Sequence, residues 1–110
     1  MATLIPAGGG EPRYIAPADG KAFRADELHA LVGGYFEVLR SRWFIASAIG
    51  EGGELLLFLN EDGKRLNLPV NGFATSIARA GRVLPPGDVI VGDVVLCTWA
   101  EAGEDREGEV

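Results

Sequence analysis

Residues 28–40, LHALVGGYFEVLR, hold a helical spacing of apolar residues, two adjacent glycines and a strand-like alternation within one short stretch. Leu28, Leu31 and Val32 fall on one face of a helix expected over about residues 24–32, and Asp26 and Glu27 sit in its first turn, where the helix dipole favours acids. Gly33 suits the left-handed residue that ends a helix without a Cβ clash. Gly34 is then left over, and a second glycine implies that something comes close to the backbone there. The following YFEVLR alternates as a strand, with Phe36 and Val38 on one face and Tyr35, Glu37 and Leu39 on the other. With Phe36 and Val38 turned to the core, the Tyr35 phenol and Glu37 carboxylate are expected side by side on the opposite surface. Gly34, Tyr35 and Glu37 are therefore the leading candidates for a binding surface.

Working outward, residues 3–5 and 12–16 read as an opening hairpin across a loop containing Gly8, Gly9 and Gly10. Downstream, the apolar runs 43–49 and 54–60, separated by GEGG, form a second expected hairpin. Asn60-Glu61-Asp62-Gly63 marks a tight turn. Asn71 is a good N-cap for a short second helix in which Phe73 and Ile77 share a face, Arg79 lies in the last turn and Gly81 closes it. Pro85-Pro86-Gly87-Asp88 forces a turn before VIVGDVVLCTW, a strand interrupted at Gly92-Asp93. Strands and helices do not alternate regularly. The expected class is thus α+β: a mainly antiparallel sheet of five to six short strands with two helices packed on it.

Length and composition set the outer bounds. A chain of 110 residues, 47% hydrophobic and 24% charged, suits one folded domain over residues 1–100. The net charge of −6 is concentrated at the end: residues 101–110 carry five acids against Arg106, which marks them as a solvated, disordered acidic tail. The rest of the chain is close to neutral, so it offers no basic field for a nucleic-acid backbone. Cys97 is the single cysteine and lies in an apolar run, as a buried thiol in a reducing compartment does. No secretory leader and no apolar run of membrane-spanning length are evident, and a cytoplasmic location is expected.

No constellation spells out a reaction. With His29 and Cys97 each alone of their kind, zinc-ligand spacings do not occur, and no activated-serine context surrounds Ser41, Ser47 or Ser76. PAGGGEPR lacks the Lys-Ser/Thr ending of a phosphate loop, and neither LVGGYF nor GEGGEL has dinucleotide-binding spacing. No catalytic residue, metal ligand or cofactor is therefore assigned. Two further groups are candidates for binding. Arg42 and Trp43 place a guanidinium beside an aromatic ring, a pairing frequent at interfaces. Arg40, Arg42, Lys64, Arg65, Arg79 and Arg82 fall between residues 40 and 82, and gathered near the helix start after Asn71 they would suit a nucleotide phosphate. The alternative for this set is solvated strand and helix ends.

Three phrases, LVGGYFEVL, LFLNEDGKRLNLPVNGFAT and VIVGDVVLC, taken in this order, resemble the domain of unknown function 3846 family of bacteriophages and mobile genetic elements. The resemblance covers roughly residues 25–96, and the departure is the longer aromatic-bearing stretch 41–53. It implies a small accessory protein in a bacterial host cytoplasm, with no established activity. The positions that carry over are Gly33, Gly34, Tyr35, Glu37, Asn60, Glu61, Gly63, Lys64, Pro69 and Asn71. Turns and caps account for Asn60, Gly33 and Asn71 as well.

The expected function is non-enzymatic binding to a host or phage protein, through the Tyr35/Glu37 face or the hairpin bearing Trp43. The alternative is a small-ligand binder that sequesters a nucleotide-type signal, with arginines of neighbouring protomers meeting around the phosphates of a homodimer or larger oligomer. An enzyme ranks third, since active sites show more paired titratable groups than this chain offers.

Overall fold

The computed structural model of the chain describes residues 2–41, 55–98 and Ala102. Five strands, β1 (Ala2–Ile5), β2 (Arg13–Ile15), β3 (Phe36–Ser41), β4 (Leu55–Asn60) and β5 (Val94–Thr98), form one sheet in the order β2-β1-β5-β4-β3. Every neighbouring pair is antiparallel. Two helices, α1 (Ala25–Val32) and α2 (Gly72–Ala80), complete the α+β fold expected from the sequence. Arg42, the expected strand at 43–49 with Trp43, and the expected acidic tail apart from Ala102 lie outside the described residues; Ala102 itself is helical and buried in the cluster under α1, not solvated as expected.

The helices cover opposite faces of the sheet, and the strand sequences show why. In β4, Leu56 and Phe58 join Leu28 and Val32 of α1 in one cluster, while Leu57 and Leu59 join Ala74 and Ala78 of α2 in the other. β5 divides in the same way, sending Val95 and Cys97 to the first cluster and Val94 to the second. A strand buried on both faces must be apolar at every position, which is what LLLFL and VVLC are. Leu56, Leu57 and Phe58 are fully buried, each worth about 1.5–3 kcal/mol relative to exposure.

This arrangement corrects one expectation. The strand alternation in β3 is as read, with Phe36 and Val38 packed against the α1 cluster and Leu39 against the other. The reverse side of β3 is only partly covered: Leu39 packs against the α2 cluster, whereas Glu37 stays exposed, as expected. Tyr35 does not share the alternation at all. Residues 33–35 are turn and bend, so the two-residue period begins only at Phe36.

Candidate functional site

The two glycines differ in purpose. Gly33 is left-handed at φ 84 and caps α1, with both its own N–H and that of Gly34 donating to the carbonyl of His29 at 2.9 Å. Gly34 makes room: a Cβ there would stand 3.2 Å from Nδ2 of Asn60. That carboxamide is buried, donates to the Val32 carbonyl at 3.1 Å and accepts from the Asp62 N–H at 2.8 Å. The close approach inferred from the sequence is thus made by the protein's own Asn60, which ties the C-terminus of α1 to the end of β4.

Asn71 does the corresponding work for α2. Its Oδ1 accepts from the Ala74 N–H at 3.0 Å as an N-cap, and its Nδ2 donates to the carbonyls of Ile5 and Gly92, each at 2.9 Å. Thr75, one turn on, donates its hydroxyl to the Asn71 carbonyl and accepts the Ile90 N–H. Asn60 and Asn71 therefore spend their polar groups inside the fold.

Tyr35 and Glu37 part company. The Tyr35 ring is 68% exposed and meets His29 of α1 edge-on, with ring centroids 5.4 Å apart. Behind them the stack runs on from His29 to Phe36 and from Phe36 to Phe58, at 5.1 Å in each case. Glu37 instead lines a cavity of about 180 Å³ on the α2 side of the sheet, to which Tyr35 does not contribute. The floor is Leu39 and Leu59, the latter directly opposite Glu37 in the β3–β4 ladder, and Val83 and Leu84 form a wall. Glu61, Lys64 and Asp88 line it as well.

The charges around this cavity are unequally committed. Lys64 Nζ is ion-paired and hydrogen-bonded to Asp88 Oδ1, and Arg79 donates to the Asp88 carbonyl at 3.1 Å. The lysine, with the Val89 N–H donating to the same carboxylate, holds the Asp88 carboxyl below the ordinary carboxylate range. Glu37 is pushed the other way, first by partial burial and then by the charges of Glu61 and Asp88, with Lys64 opposing.

Of the six basic residues Arg42 lies outside the described residues, and Lys64, Arg65 and Arg79 are each engaged by an acidic residue or its loop. Lys64 and Arg79 both turn to Asp88, while Arg65 pairs with Asp62 at 3.4 Å. At the α2 start the Ala74 and Thr75 N–H groups already donate to Asn71. Asp88 is the cavity residue that sequence reasoning missed. In the sequence it is the end of a Pro-Pro-Gly-Asp turn, and nothing local brings it 24 positions back to Lys64.

A second, more open hollow of about 290 Å³ lies between Leu31 and Leu68, and its one charged group, Asp93, accepts the Ala7 N–H. The Glu37 cavity is thus the richer in unspent polar groups. Among the described residues, no three His, Cys, Asp or Glu side chains are grouped to hold a metal ion, and no helix is long and apolar enough to cross a membrane. No family model matches the chain, and neither a curated protein nor a solved structure is significantly similar to it.

Proposed function

We propose that the protein is a non-enzymatic binding module, a small phage or mobile-element accessory protein of the bacterial cytoplasm, which docks a host or phage protein at the Glu37 cavity. The observation that supports this reading is a recess with a preformed apolar floor whose rim carries carboxylates that the fold does not use. Apolar walls with a few placed polar groups are the usual make-up of a recognition pocket. Among the described residues that line it there is no serine, threonine, cysteine or histidine, so covalent catalysis draws less support than binding. The nucleotide reading is weakened by the same lining, since Lys64 is held on Asp88 and the charges left over, Glu37 and Glu61, repel a phosphate.

The test compares partners captured from host lysate by the parent chain, by Glu37→Ala and by Leu84→Ser, followed by calorimetry with the purified partner. Both variants are expected to keep the parent's far-ultraviolet circular dichroism and to weaken binding at least about tenfold, as truncation of a central interface residue does. Folded variants that retain every partner at parental affinity would refute the reading.

A further inference from the structure

Among the described residues four charged side chains line the cavity, and two of them are already spoken for. Lys64 is held on Asp88, and the Asp88 loop is held again by Arg79. Among the described residues, no hydrogen bond or ion pair engages the carboxylates of Glu37 and Glu61. Glu37 sits above an apolar floor and is raised in pKa by burial and by two like charges, so its ionised form gains most from an added positive charge. Leu39, Val83 and Leu84 offer a surface against which an aliphatic stem can lie.

Resting on the docking reading above, we infer that the cavity receives the ammonium or guanidinium end of a lysine or arginine side chain presented by the partner protein, its stem along Leu39, Val83 and Leu84 and its charge between Glu37 and Glu61. An acidic side chain is repelled by Glu37 and Glu61, which Lys64, held on Asp88, does not offset. A neutral apolar chain of the same length fills the recess but strips water from Glu37 and Glu61 without replacing it, which costs free energy. Only a cation satisfies both the floor and the rim. The Lys64–Asp88 pair is the same chemistry already realised at the next position around the mouth.

The experiment is a nuclear magnetic resonance titration of the full chain at about 0.15 M salt, where long-range attraction is screened. Four capped peptides serve as probes, identical except for a central lysine, arginine, glutamate or norleucine. Lysine and arginine peptides are expected to give saturable shifts at the amides of Glu37, Leu39, Glu61 and Leu84, and the other two none. Glu37→Gln and Glu61→Gln should each weaken the lysine peptide about twofold to fivefold, the range of a single exposed ion pair. Asp26→Asn, on α1 across the sheet, should leave binding unchanged. The inference is overturned if norleucine binds as well as lysine, if shifts avoid these amides, or if both glutamine variants bind like the parent. Should the peptides fail while Glu37→Ala and Leu84→Ser still lose the captured partner, the cationic occupant is wrong and the docking reading stands. If those two variants keep every partner, the docking reading itself falls.

Discussion

Replacing Asn71 tests how the two layers of this fold are joined. The side chain is 1% exposed and makes three hydrogen bonds, one as the cap of α2 and two as a donor to the carbonyls of Ile5 and Gly92. Losing a cap costs about 1 kcal/mol. Each buried carbonyl left without its donor adds about 1–3 kcal/mol, moderated by its second lone pair and by water reaching the vacated space. Asn71→Ala is therefore expected to cost about 3–5 kcal/mol, a large part of the stability of a domain this size. Asn71→Ser separates the terms, because serine still caps but reaches neither carbonyl, and should cost about 2–4 kcal/mol.

Asn71→Asp keeps the cap acceptor while turning an oxygen toward two carbonyl oxygens in a buried place. Its carboxyl pKa must rise on folding. The favourable contribution of the protonated form is then complete below the unfolded pKa and disappears as pH rises through the folded one, so the deficit of this variant narrows on acidification. Urea unfolding at neutral and mildly acid pH, with the slope required to stay constant, reads all three. If Asn71→Ser lies within about 0.5 kcal/mol of the parent, the donor bonds carry nothing and the account of the interlayer tie is wrong.

Gly34→Ala should push the Asn60 carboxamide off Val32 and cost about 1–2 kcal/mol, and in Asn60→Ala, where the space is vacant, the same change should cost markedly less; an additive double-mutant cycle in urea would rule out the contact. Glu37→Gln should leave stability unchanged or slightly raised at neutral pH. A raised folded pKa means that the Glu37 contribution is present below the unfolded value and lost as pH rises, so the variant and parent should converge near pH 4 in thermal melts. Asp88→Asn has the opposite sign: its lowered pKa contributes above the unfolded value and fades as pH falls, so the variant should melt lower at neutral pH and match the parent in acid. Cavity variants should lose partner affinity with less loss of stability than any change at Asn71, as measured by calorimetry beside urea curves.

The local signals in the sequence were sufficient for the scaffold. The 3.6-residue spacing before Gly33, the period of two from Phe36 and the cap at Asn71 each report a short-range preference that the tertiary structure respects, so α1, β3 and α2 stand within a residue or two of expectation. The placement of the layers was less legible. Uninterrupted apolar runs such as LLLFL carry no polar alternation to mark an outer face, and two helices on one side or one on each fit them equally. The site suffered most from this. The separation of Tyr35 from Glu37 follows from two bent residues, and the meeting of Lys64 with Asp88 follows from two loops that no periodicity relates. Gly34 was legible as a point of close approach, but the approaching group was an asparagine 26 positions away, which a single sequence does not encode as a pair.

The division of labour between asparagines and acids bears on how the cavity works. Asn60 and Asn71 lie at the ends of β4 and at the start of α2, and their bonds run to α1, β1 and the strand approach at Gly92, so the sheet under the cavity is cross-tied from both faces. The rim is built differently. Its two sides are the turn that holds Lys64 and the loop that holds Asp88, and one solvent-facing ion pair joins them. Pairs of this kind contribute little to stability and respond to salt and to competing charges. On the docking reading proposed above, the apolar floor would fix where a partner's side chain lies and Glu37 and Glu61 would take its charge, with the Lys64–Asp88 pair left in place beside it. Affinity at such a site is governed by the floor and selectivity by the rim, so substitutions at Leu39 or Leu84 should weaken all occupants alike, whereas those at Glu37 or Glu61 should change which occupant is preferred.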